Sequence, residues 1–98
     1  MTSRIFFSSK QRVLRHAGEV LNDLKIGHIQ LDKDQNRIVA SKSWNFFKTR
    51  KEVEILLYSD EHRVEVAVSV EAWAKMLDFG AAEYLEEEIL LRLKEKLN

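Results

Sequence analysis

Four valines, Val64, Val66, Val68 and Val70, alternate with Arg63, Glu65, Ala67, Ser69 and Glu71. A period of two puts all four valines on one face of a strand and the polar set on the other. Such a strand needs a cover for its apolar face and leaves its other face largely wet, which is the habit of antiparallel sheets. The same alternation runs through Glu52–Tyr58, where Val53, Ile55 and Leu57 share a face. Ser59-Asp60-Glu61-His62 joins the two segments, so they are expected to form a hairpin. Ile29 and Leu31 mark an earlier strand that ends in the polar run Asp32–Asn36, and Arg37–Ser41 resumes as its hairpin partner. Arg4–Phe7 is expected as a further short strand.

Two helical stripes supply the cover. Val13, Leu14, Ala17, Val20, Leu21 and Leu24 recur at helical spacing, with Arg12, Arg15, Glu19 and Asp23 on the opposite face. Ser8 or Ser9 is the expected cap of this helix, with Gln11 completing a capping box if Ser8 takes that place. Gly27 marks the exit into the next strand. A longer helix is expected from about Phe79 to Leu97, with Asp78 as cap and Tyr84, Leu85, Ile89, Leu90, Leu93 and Leu97 as its apolar stripe. Glu83 and Glu86 near its start, and Lys94 and Lys96 near its end, suit the helix dipole. The expected fold is therefore α+β and two-layered: an antiparallel sheet of four to five strands, covered on one face by an N-terminal helix and a long C-terminal helix. With 98 residues, no proline and no linker, residues 1–98 are read as a single domain.

Composition narrows the chemistry. The absence of cysteine excludes disulfides, thiolate nucleophiles and cysteine-ligated metal centres. No apolar run approaches the 18 or so residues that cross a bilayer, and Ile5-Phe6-Phe7 is too short for a secretory signal, so a cytoplasmic setting without membrane contact is expected. Sixteen basic and sixteen acidic side chains cancel, yet the first half of the chain is basic and the second acidic. His16 stands three residues before Glu19 on the first helix, His28 in a strand and His62 in a turn; no two have ligand spacing, so no metal site is expected. Glu52 and Glu54 share a strand face and Glu65 is a candidate to lie across from one of them, a pairing that serves acid–base catalysis in glycosidases. Glutamates on a half-wet sheet are more simply its solvated face, with Arg63 or Lys51 as cross-strand partners. No nucleophile elbow or glycine-rich phosphate loop is present. A non-enzymatic domain without cofactors is expected.

The segment Ser41–Lys51 is the most distinctive. It lies between the two hairpins and combines Trp44, Phe46 and Phe47 with Lys42, Lys48, Arg50 and Lys51. Bases stacking on the aromatics with phosphates on the cations would make it a weak nucleic-acid site. Aromatics covering an open end of the core is the plainer reading. Aromatic anchors beside arginine also suit a protein interface, which makes Trp44, Phe46, Phe47, Lys48 and Arg50 the candidate contact surface. A second apolar cluster, Trp73, Met76, Leu77 and Phe79, precedes the long helix and is expected to fold back over the end of the sheet.

The valine-rich strand Val64–Val70, followed by Leu77-Asp78-Phe79-Gly80 at the opening of the last helix, resembles a family of small uncharacterised bacterial α+β domains. In that family an Asp-(Trp or Phe)-Gly element leads into the C-terminal helix. The arrangement is also distantly similar to START-like helix-grip proteins, which implies a small apolar ligand held between sheet and helix. The leading expectation is a non-catalytic protein-interaction or accessory module, with a protein partner or a second copy in a homodimer. Apolar-ligand binding and weak nucleic-acid binding through residues 42–51 are the alternatives.

Overall fold

The computed structural model describes residues 1–32, 36–44, 49–73 and 81–98, and for 42–44, 49–51, 72–73 and 81 the backbone alone. Five strands and two helices follow in the order β1 (Thr2–Phe6), α1 (Lys10–Asp23), β2 (Gly27–Asp32), β3 (Arg37–Trp44), β4 (Thr49–Ser59), β5 (Val64–Trp73) and α2 (Ala81–Leu97). All neighbouring strands are antiparallel, in the spatial order β1-β5-β4-β3-β2. The expected two-layer α+β architecture is present. Strands β2 to β5 form a meander, and β1 returns to the far side of β5, so the first two strands occupy opposite edges of the sheet.

The alternation sets which face is covered. Val64, Val66, Val68 and Val70 are all buried, together with Val53, Ile55 and Leu57 of β4 and Ile38 and Ala40 of β3. Val13, Ala17, Val20 and Leu21 of α1 and Ile89, Leu90 and Leu93 of α2 complete this core. Burying a side chain of this size contributes roughly 1.5–3 kcal/mol; α2 packs directly on β5, whereas α1 packs on α2 and against β2.

Several local expectations change. Ser9, not Ser8, caps α1, with its Oγ accepting the Arg12 amide at 3.3 Å, so Gln11 is not placed for a capping box. The Ser8 hydroxyl is buried without a hydrogen-bond partner. At the other end the left-handed residue is Lys25 (φ 59°), whereas Gly27 simply opens β2. The Lys25 amide donates to the Asn22 carbonyl and the Ile26 amide to the Leu21 carbonyl, while Ile26 and Leu21 are both buried. That is a Schellman cap with its hydrophobic contact, built around a lysine where glycine is usual.

Strands β3 and β4 pair with each other as far as Trp44 opposite Thr49, so the flanks of Ser41–Lys51 are strand and not a link between separate hairpins. Glu65 stands opposite Tyr58; it is Glu71 that faces Glu52. Arg63 lies before β5 and pairs with Asp60 at 2.9 Å in the turn, and Glu54 pairs instead with Arg37. Phe46, Phe47, Lys48, Asp78, Phe79 and Gly80, with Met76 and Leu77, lie outside the described residues, as do the side chains of Trp44, Arg50 and Trp73.

Candidate interaction surface

The helical phase of α2 decides what this helix shows to β1 and to solvent. At about 100° per residue, Glu86, Ile89, Leu90, Leu93 and Leu97 form one stripe, and all are buried or packed against the core. Tyr84 and Leu91 lie within about 20° of each other and roughly 140–160° from Ile89 on the same geometry. Tyr84 is accordingly 70% exposed and Leu91 50%, which removes Tyr84 from the expected core stripe and puts Glu86 in its place.

Glu86 is 3% exposed and fully engaged. Its Oε1 accepts the Thr2 hydroxyl at 2.8 Å and lies 3.5 Å from the Met1 ammonium, while its Oε2 accepts the Val70 amide at 2.8 Å. The β1–β5 ladder ends at Thr2 opposite Val68. The Val70 amide therefore lies beyond the end of β1, and a buried amide without a partner would be costly. The carboxylate fills that gap and ties the first residues of β1 to α2 and β5 at once.

The remaining length of β1 leaves an open groove against α2. Towards its start Thr2, Ser3 and Arg4 face Tyr84, Glu87 and Leu91 across a cleft of about 490 Å³. Towards its end Arg4, Ile5 and Phe7 share a cleft of about 450 Å³ with Lys94 and Leu97. Arg4 borders both, so the two clefts adjoin along the edge of the sheet. The rim carries Ile5, 43% exposed, and Phe7, 84% exposed. A further cleft of about 490 Å³ lies where Leu14 of α1 meets Leu31 and Asn36 at the opposite edge.

This surface was not marked by composition. The signal for it lies in the seven-residue interval between Tyr84 and Leu91, out of phase with the core stripe, and in a second phenylalanine directly after the buried Phe6. Of the five residues nominated from the sequence, Trp44 and Arg50 have their backbones at the last pairs of β3 with β4, and Phe46, Phe47 and Lys48 lie outside the described residues.

Titratable groups elsewhere form surface pairs. The His16 ring is 3.0 Å from Glu19, as their helical spacing suggests, and its hydrogen bond, aided by Lys96, holds the Glu19 carboxyl below the usual range. Asp60 is lowered by the His62 amide and then by the Arg63 side chain. Lys96 is raised, chiefly by its contact with Asp23. Among the described residues no three His, Asp or Glu side chains converge as a metal-binding group, and no helix is long and apolar enough to cross a membrane. No known family model matches the chain, and comparison with the curated proteins finds no match.

Proposed function

We propose that this chain is a non-catalytic interaction module of the cytoplasm, an accessory domain that binds a protein surface along the edge formed by β1 and α2. The observation that carries this reading is the juxtaposition of an outer strand with exposed apolar side chains on both flanks, Ile5 and Phe7 on one side and Tyr84 and Leu91 on the other. An outer strand offers unpaired amides and carbonyls to a second strand. Exposed aromatic and aliphatic anchors around it are the usual centre of a protein interface. Among the described residues, Ile89 and Leu93 of α2 pack with the β5 valines between sheet and helix, and the interaction reading is preferred to an apolar ligand on that ground. The likeness to small bacterial α+β domains remains part of this proposal, and it names no partner.

A photo-activatable phenylalanine analogue at Phe7, compared with the same group at the exposed turn residue Glu61, tests the reading in the cells that make the protein. Covalent protein adducts are expected at Phe7, lost when Leu91→Glu is added, and not at Glu61. No adduct at Phe7, or equal labelling at Glu61, overturns it.

A further inference from the structure

We infer that the occupant of the β1–α2 edge is a second copy of the chain, joined by antiparallel pairing of β1 with β1 about a two-fold axis beside Arg4 and Leu91; this rests on the interaction reading above. The geometry begins with the relative course of the two elements. Thr2 is bonded to Glu86, and Phe6 lies beside Lys94 and Leu97, so β1 and α2 run in the same direction. A strand advances about 3.3 Å per residue and a helix about 1.5 Å. Two residues beyond Thr2 therefore correspond to roughly four or five beyond Glu86, which sets the middle of β1, Arg4, alongside Leu90 and Leu91. One axis at that point serves both the strand and the exposed flank of the helix.

Charge then selects the antiparallel arrangement. Glu87 lies before Leu91 and Lys94 after it, both on the flank that faces the groove, and neither has an ion-pair partner among the described residues. A two-fold axis reverses one helix against the other and brings Glu87 of each copy to Lys94 of its mate. It also sets Leu91 against Leu91, Ser3 against Ile5, and the exposed Met1 against the exposed Phe7. Arg4 meets its own symmetry mate, and the two Glu87 carboxylates flank that pair of cations. A parallel pairing of β1 with β1 would turn one copy over, put the two α2 helices on opposite faces of the sheet, and leave Glu87 and Lys94 unmatched. The surface is thus self-complementary in the way an isologous dimer requires, and the outcome is a continuous ten-stranded sheet with two α2 helices packed side by side.

Because the chain has no cysteine, single replacements read this register directly. Light scattering of the unaltered protein is expected to give twice the chain mass. Leu91→Cys is expected to cross-link to a covalent dimer with a short bis-maleimide, and Tyr84→Cys is not, since the two copies of residue 84 would stand about 20 Å apart along antiparallel helices. Glu87→Lys and Lys94→Glu are each expected to weaken the dimer about two- to thirtyfold, as two symmetric exposed ion pairs allow, and the double swap is expected to restore it. A monomer at millimolar concentration, a dimer cross-linked through residue 84 and not 91, or failure of the double swap to restore association overturns the inference. A monomer whose Phe7 adducts contain a different protein overturns self-pairing alone and leaves the interaction reading standing; absence of any Phe7 adduct overturns both.

Discussion

The two edges of this sheet are built differently. Strand β1 pairs with β5 in one unbroken register, Thr2 opposite Val68 through to Phe6 opposite Val64. Strand β2 starts opposite Ser41, loses register between Gly27 and Gln30, and holds His28 at a left-handed φ of 51°. A bulge of this kind twists an outer strand away from incoming partners, which is how natural sheets guard an edge. Exposed apolar residues occur at both edges, Ile29 and Leu31 on β2 as well as Ile5 on β1. Apolar exposure therefore does not distinguish them. Nor does a neighbouring helix, since α2 lies beside β1 and α1 beside β2. What distinguishes them is register, which β1 keeps along its whole pairing with β5 and β2 loses against β3.

Glu86 is the point at which this contrast is most easily broken. Replacing it with alanine leaves the Val70 amide and the Thr2 hydroxyl without their acceptor. Loss of a buried, charge-assisted pair of hydrogen bonds is expected to cost about 2–3 kcal/mol. Hydrogen exchange should show where the loss falls: amides of β1 and the end of β5 are expected to lose protection first, with β2 and β3 changing only through global unfolding. Equal loss across all five strands would mean that β1 is not separately anchored. Glu86→Gln, which keeps an acceptor oxygen, is expected to cost less.

The turn into β2 offers a smaller effect of the opposite sign. Lys25 adopts a conformation that costs a residue with a Cβ about 1–2 kcal/mol, and glycine adopts it freely. Lys25→Gly is expected to stabilise the protein by roughly 0.5–1 kcal/mol, less than the relieved strain because glycine also loosens the unfolded chain. Urea denaturation checks it, and a destabilised variant would show that the lysine side chain contributes more than its backbone costs.

The sheet and α1 were legible because their signals are local. Alternation in Val64–Val70 and Val53–Leu57 specifies a covered face whatever the strand order, and the stripe from Val13 to Leu24 specifies a helix whatever it packs on. The edge was not legible for the converse reason. That β1 pairs with β5 and lies outermost is a long-range fact of topology, on which the short segment Arg4–Phe7 is silent. Glu86 reads as a dipole-stabilising surface acid until β1 and β5 are known to end beneath it, and a lysine gives no hint of a left-handed cap. The sequence instead draws attention to Trp44–Arg50 through composition, and composition reports which side chains are sticky without saying which edge of a sheet is open.

The smallest effect concerns the helix layer, and it separates that layer from the edge. Lys96 reaches from α2 to α1, 3.0 Å from Asp23 and 3.6 Å from Glu19, and His16 completes the group 3.0 Å from Glu19. In the folded chain Glu19 is depressed below its ordinary 4.5, first by the His16 hydrogen bond and then by Lys96. Its contribution is therefore present above about pH 4.5 and lost as pH falls through the lower folded value. Lys96 is raised above 10.5, chiefly by the hydrogen bond to Asp23, so its contribution is present below that pH and lost as pH rises through the higher folded value. The stability difference between the unaltered protein and Glu19→Gln is thus expected to be small and present between these limits, shrinking in acid and in strong alkali. Salt should reduce it, because Glu19, Asp23 and Lys96 are at the surface and screened. Exchange protection of β1 should not follow the same profile, since Glu86 and not Lys96 holds that strand. A difference that grows on acidification, or a loss of β1 protection in Glu19→Gln, would show that the helix pair and the open edge are one unit.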